Sequence, residues 1–339
     1  MLGEGLGMFA LKRLADAERD GDRIYAVLRG LGTSSDGRSK SVYAPVSEGQ
    51  AQALQRAYAQ AGYSPRTVEL VEAHGTGTKA GDVAEFNGLR MVYAGAEAVA
   101  RPWCALGSVK SQIGHTKAAA GAAGLFKAVM ALHHKVLPPT IKVERPDPRL
   151  AIDSSPFYLN TRARPWIRGG EHPRRASVSA FGFGGSNFHA TLEEYAGAAP
   201  RAERLPTQAW ELVLLHADSV PGLLAKIDAL AASTRPLAHL AHESRRDWRA
   251  DAPRRLALVV DSIDNLRQRL QAAAERIRLA PDAAHALADG SSYGVGAPEG
   301  GVALLFPGQG SQYLEMGAAV AMQFEAARQV WDQAAALPL

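Results

Sequence analysis

A single cysteine, Cys104, in 339 residues excludes an intrachain disulfide and any cluster of thiolate metal ligands. No uninterrupted apolar run reaches the ~18 residues a membrane-spanning helix needs. Glu4, Asp16, Glu18 and Asp20 make the first twenty residues too acidic for a signal peptide. A cytoplasmic protein with no membrane contact is expected. Charge is also nearly balanced: 38 Lys and Arg against 34 Asp and Glu leave +4. The basic residues are scattered rather than grouped with aromatics, so no nucleic-acid partner is expected. His133 and His134 are adjacent and cannot share a helix face, and there is no His-Glu-x-x-His, so no metal is expected. Gly3-Glu4-Gly5-Leu6-Gly7 follows no strand and lacks the third glycine of a dinucleotide loop. What is present is a globular balance, 47% hydrophobic and 21% charged, over a length that suggests two domains and part of a third.

Short apolar runs, Gly/Ser/Asp turns and longer amphipathic stretches alternate up to Tyr195, the pattern of layered α/β structure. Strands are expected at Ile24 to Leu31, Val68 to Ala73 and Ala105 to Val109. Ser47 to Ala61 reads as a helix with a Ser47/Gln50 capping box and Gly62 as its left-handed stop. Helices are also expected over Gly81 to Ala94 and His115 to His133, and Arg175 to Glu193 reads as two strands joined through Gly182, Gly184 and Gly185. Ala, Pro, Glu and Arg dominate Tyr195 to Pro206, marking a boundary. A smaller α/β unit follows, with strands at Leu212 to Leu215 and Leu256 to Val260 and helices at Leu223 to Ala232 and Asn265 to Leu279. Gly290 to Gly301 reads as a linker, and Val302 to Phe306 as a strand leading into a Gly-rich turn and a helix.

Three dense motifs carry the chemistry. Glu72-Ala73-His74-Gly75-Thr76-Gly77-Thr78 delivers a histidine from a strand into a turn of small residues. Lys110-Ser111-Gln112-Ile113-Gly114-His115-Thr116 does so again at the next strand end. Phe181-Gly182-Phe183-Gly184-Gly185-Ser186-Asn187 has glycines that leave amide N–H groups free to face a ligand. Singly, each fits an ordinary core histidine or a plain turn.

Together and in this order they resemble the β-ketoacyl synthases, the condensing enzymes of thiolase fold in fatty-acid and polyketide synthases. EAHGTGT matches the family pattern in full; Gln112 replaces the usual Asn, and Ser186 the usual Thr. The resemblance covers residues 1 to about 195. Glu18 to Val27, Leu132 to Thr140 and Ser155 to Trp166 look most like ketosynthases of polyunsaturated fatty-acid and enediyne synthases. The expected fold is therefore α/β, the C-terminal half of a thiolase-like layered fold over 1–195. By resemblance, 196–299 would be a ketosynthase-to-acyltransferase linker domain. Residues 300–339 would start an acyltransferase, because Leu305 to Gln312 resembles its opening motif, with the backbone N–H of Gln309 in its oxyanion hole.

The resemblance implies decarboxylative Claisen condensation, in which neutral imidazoles stabilise the developing enolate oxygen. His74 and His115 would be those donors, and Lys110 would pair with Glu85 to hold their orientation. Phe183 would supply an oxyanion N–H and a ring gating the acyl pocket, flanked by Gly182 and Gly184. The family's nucleophilic cysteine precedes all three motifs, whereas Cys104 follows His74 and reads as a packing residue. The chain is thus expected to be an internal piece of a multidomain synthase, inactive in condensation alone and exposing the face meant for the missing ketosynthase N-terminal half. No bound cofactor is expected. Substrates would be malonyl and acyl thioesters on the phosphopantetheine of acyl carrier protein domains, and the parent would be a homodimer. The alternative is a non-catalytic scaffold that positions a carrier protein or another polypeptide of the synthase.

Overall fold

The computed structural model describes residues 1–38, 44–94, 101–198, 209–286, 290–297 and 300–337. It divides into two units, Met1–Ala202 with Tyr313–Leu339, and Glu203–Gln312.

The first unit is built on a mixed sheet of β1 (Val27–Ser35), β2 (Leu70–Glu72), β3 (Cys104–Gly107), β5 (Phe157–Leu159), β7 (Arg175–Gly182) and β8 (Ser186–Glu193), in the order β1-β8-β7-β2-β3-β5. The four strands β7, β2, β3 and β5 run parallel, and β8 and β1 extend them antiparallel. Short β4 (Val136–Leu137) and β6 (Arg164–Pro165) pair separately. Strand alternation divides the core in two. Val71, Cys104, Leu106 and Phe157 face Leu54 and Tyr58 of α2 (Ser47–Ala61) and Phe86, Leu89 and Tyr93 of α3 (Lys79–Tyr93). Leu70, Ala105, Ala176 and Val178 face Ala128, Ala131 and Leu132 of α5 (Ala120–His134). Two further helices, α1 (Leu14–Arg19) and α4 (Lys110–Ile113), are single turns.

Helix α2 has the expected bounds and ends at Gly62 with φ 74°. Its capping box does not form: Val46 is the N-cap, no side chain caps it, and Asp36 Oδ2 accepts the Val46 N–H instead. The expected helix from His115 starts later, after a 3-10 turn at Lys117–Ala119. At its far end Lys135 takes the left-handed conformation (φ 55°), and its ammonium pairs with Glu194 and Glu325. Glu325 belongs to α10 (Glu325–Ala335), which follows α9 (Ala318–Gln323). Buried Arg174 bridges Glu194 and Asp332 of that same helix, each at 2.7–2.8 Å. Removing one partner of such a buried network strands the other, so the network fixes where α10 lies.

The second unit is an antiparallel sheet of β9 (Glu211–Ala217), β10 (Arg254–Val260), β11 (His285–Ala286) and β12 (Ser292–Val295), in the order β11-β12-β10-β9. With it pack α6 (Val220–Ala231), α7 (Leu237–Arg246) and α8 (Ile263–Leu279) around an apolar core that includes Leu223, Leu256, Leu258, Leu266 and Tyr293. Two expectations are corrected here. Ser292–Val295, read as part of a linker, is a strand paired with β10. Val302 to Phe306 is irregular, not a strand, and Tyr313–Leu339 groups with the first unit. An apolar run becomes a strand only where a sheet edge receives its N–H and C=O groups.

Candidate active site

Strand β2 ends at Glu72 and hands the chain to Ala73, His74 and Gly75. Gly75 has φ +47°, and a Cβ there would lie 2.7 Å from Ser108 Cβ, so only glycine lets the loop cross the end of β3. Glu85 of α3 fixes this loop: its buried carboxylate accepts the N–H of His74 (2.7 Å) and of Gly75 (2.8 Å). From β3 the chain turns through α4 and Gly114 (φ 75°) to His115. The N–H of Lys117 donates to His115 Nδ1 (3.1 Å), which assigns the ring proton of the neutral imidazole to Nε2.

The two histidines, 41 positions apart in the sequence, meet: their ring centroids are 5.6 Å apart and nearly perpendicular, at 89°. The Phe181 ring packs beside His74 at 5.7 Å. His74 Nδ1 is buried and finds no hydrogen-bond partner among the described residues. Burial, then the nearby Lys110 and the coupling to His115, push the His74 imidazole down to about 3. Burial first, and then Lys110 and Lys117, also lower His115. Both rings are therefore neutral hydrogen-bond donors at physiological pH.

The expected ion pair between Lys110 and Glu85 is not a direct contact among the described residues. Glu85 is occupied by the two backbone amides, and burial raises its carboxyl to about 7 against those hydrogen bonds. Lys110 is lowered by burial and raised by the fields of Glu72, then Glu85. The Gly-rich motif forms the expected hairpin, β7 to β8, with Gly184 at φ +90° and Gly185 at φ +79°. Sequence reasoning missed what pins it: Asp36, just past β1, accepts from Asn187 Nδ2 (2.7 Å) and donates its N–H to the Gly185 carbonyl (2.9 Å). Phe183 is 85% exposed, so it is not a core ring, and Phe181 is the aromatic against His74. Gln309 lies in the irregular stretch of the second unit. No group of three or more His, Cys, Asp or Glu among the described residues could hold a metal, and no helix there is long and apolar enough to cross a membrane.

Cys104 opens β3 with no exposed surface, and burial, then Glu69, push its thiol well above the ordinary range. A thiol held in its protonated form is a poor nucleophile. Iodoacetamide should leave Cys104 unmodified in the folded protein and modify it fully in denaturant, as read by mass spectrometry. Rapid labelling of the native protein would contradict this burial.

Residues 25–144, which contain both histidines, Glu85 and Lys110, match the family described as Beta-ketoacyl synthase, C-terminal domain. This stretch is similar to a ketosynthase C-terminal domain. The chain is 40% identical to a polyunsaturated fatty acid synthase polypeptide of Thraustochytrium sp. over 97% of its own length and 12% of that protein. It is 38% identical to Polyketide synthase GfsA of Streptomyces halstedii over 98% of its length and 4% of that protein. Among solved structures, the ketosynthase from module 6 of the bacillaene synthase of Bacillus subtilis 168 aligns with TM-score 0.52 and 34% identity, over 78% of this chain and 46% of that one. Ketosynthase twelve of the bacillaene synthase of Bacillus amyloliquefaciens aligns with TM-score 0.53 at the same identity and coverage. The chain is thus homologous to ketosynthase domains of polyketide and polyunsaturated fatty-acid synthases and shares their thiolase-like fold with a mixed sheet. It spans a small part of the curated relatives and under half of the solved ketosynthases.

Proposed function

We propose that these residues supply the decarboxylating side of a ketosynthase within a type I polyketide or polyunsaturated fatty-acid synthase. The single observation that carries this reading is the convergence of two neutral imidazoles at 5.6 Å. A malonyl thioester placed between them breaks its bond to the carboxylate, carbon dioxide leaves, and the electron pair moves onto the thioester oxygen. The His115 Nε2 proton and the His74 ring then donate to that oxygen as it becomes negative. The enolate carbon next attacks an acyl thioester and expels its thiolate. Cys104 is too deeply buried to hold that acyl group, so the acyl-bearing thiol is a different one. Glu85 holds the His74 loop, Lys110 supplies positive potential, and the N–H of Phe183 in the Gly182–Gly184 turn faces the acyl carbonyl. Malonyl and acyl groups arrive on the phosphopantetheine of acyl carrier domains, in a cytoplasmic homodimeric synthase.

For the second unit we propose the scaffold role of a ketosynthase-to-acyltransferase linker domain, near 196–299, because its interior is a hydrophobic cluster drawn from β9, β10, β12 and α6 to α8 and its buried Glu211 is taken by Arg245. Residues 300–339 would open an acyltransferase, with Gln309 at its oxyanion hole. The experiment that tests the catalytic reading separates two steps in the full-length protein. With His74 and His115 both replaced by alanine, acyl transfer onto the synthase's acyl-bearing thiol, which is not Cys104, should persist while carbon dioxide release from a malonyl thioester is lost. Undiminished release would overturn the reading.

A further inference from the structure

One buried carboxylate ties together every stretch of chain that leads to the two histidines. Glu72 is 2% exposed and, two residues past Leu70, points to the α5 side of the sheet. It precedes His74 by two residues. Its Oε1 accepts the N–H of Val109 (2.6 Å), the N-cap of the α4 turn that carries Lys110 and leads into His115. Its Oε2 lies 2.9 Å from Lys127 Nζ, also nearly buried, on the α5 helix that leaves His115 on the other side. Space is reserved for this arrangement: a Cβ at Gly124 would stand 3.0 Å from Glu72 Cγ and 3.2 Å from Val178 Cγ1. Lys127 Nζ, in turn, passes 3.7 Å from where a Cβ on Gly107 would lie. Neither Glu72 nor Lys127 has a part in the chemistry proposed above.

We infer that the Glu72–Lys127 pair is a positioning clamp that sets the placement of His115 relative to His74. The inference rests on the decarboxylating role of the histidines. The chain enters His115 through Val109 and leaves it into α5, and Glu72 grips both routes while its own strand delivers His74. Without the clamp α5 can shift along the sheet, and the His115 Nε2 proton with it. The effect belongs in turnover rather than binding, because the malonyl thioester still enters the same site while the oxygen that becomes charged loses its aligned donor.

The test uses the full-length protein with Glu72→Gln, Lys127→Gln and the double variant. Each amide can keep a bond of similar length; each single change leaves one buried charge alone, and the double change leaves a neutral amide pair. Each single variant should lower kcat for carbon dioxide release by about 10²-fold, the cost of a misplacement near 1 Å. KM for the malonyl thioester should stay within about twofold, the signature of an interaction felt in the transition state. The rate of acyl transfer onto the synthase's acyl-bearing thiol, which is not Cys104, should not change, and the double variant should recover most of the lost kcat. A structural role alone would lower acyl transfer and carbon dioxide release together, and that result overturns the clamp. So does a single variant with unaltered kcat, or a double variant no better than Lys127→Gln, which keeps the test decisive where Glu72→Gln does not fold. Parallel His74→Ala and His115→Ala variants separate the two levels. If those retain full activity, the histidine assignment fails; if they lose it and the Gln variants do not, the clamp alone fails.

Discussion

Replacing either His74 or His115 by alanine in the full-length protein should slow carbon dioxide release from a malonyl thioester by about 10²–10³-fold, the loss expected when one donor to a developing oxyanion is removed. The double variant should fall well short of the product of the two single losses, because both rings serve one oxygen and act as a unit. The pH profile supplies an independent reading. His74, pushed down to about 3, is neutral at every pH from 5 to 9, so its protonation does not limit the rate in that range. Glu85, raised to about 7, does titrate there. An inflection near neutrality in the unaltered protein should therefore vanish in Glu85→Gln and persist in His74→Ala, measured on the residual rate. The same shift carries a sign for stability. The folded state holds the Glu85 proton more tightly than the unfolded chain, so its contribution is most favourable below pH 4.5 and declines as pH rises to about 7. Equal rates for the alanine variants and the unaltered protein would remove the histidines from the mechanism.

Gly32→Ala should produce the largest loss of stability in the first unit. Helix α2 crosses β1 backbone to backbone, and a Cβ on Gly32 would stand 1.9 Å from the Ala53 carbonyl oxygen and 2.5 Å from the Ala57 nitrogen. Gly30 is similarly placed, 2.3 Å from the Ala57 oxygen. No rotamer relieves a backbone clash, so the helix must lift from the strand, at a cost near or above 3 kcal/mol, the upper end of overpacking effects. For a unit of about 230 residues this lowers Tm by roughly 6–12 °C. Gly301→Ala, with nothing within 4 Å, is the control and should change stability by no more than ~0.5 kcal/mol. Calorimetry showing equal Tm for the two variants would refute the close crossing.

Where periodicity coincides with a chemical stop, the sequence is legible. Helix α2 combines an amphipathic run with Gly62, which sets its far end; its start falls at Ser47 as expected, although the capping box behind that expectation does not form. The hairpin is legible in three glycines between alternating strands, and the two histidines in the motifs around them. What escapes depends on partners distant in the sequence. β1 begins at Val27 instead of Ile24 because its start is set by pairing with Glu193 of β8. Ser292–Val295 hides among glycines and becomes a strand only against β10. The Lys110–Glu85 pair is expected from resemblance, yet the carboxylate is taken by the amides of His74 and Gly75, donors that no side-chain pattern displays. Asp36 and Lys127 carry no motif. The signal that could find Lys127 is its place on the α5 face alongside Gly124 and Ala131, where a charged residue among small ones needs a buried counterion.

The left-handed residue that ends α5 is a lysine where backbone sterics favour glycine. Mutational drift toward glycine would ease the turn yet sever the ammonium's links to Glu194 and Glu325, unfastening the terminal helix from the sheet. Selection for that fastening would keep a side chain at this position against its conformational preference, so the identity of residue 135 across related sequences would record whether the terminal helix docks there.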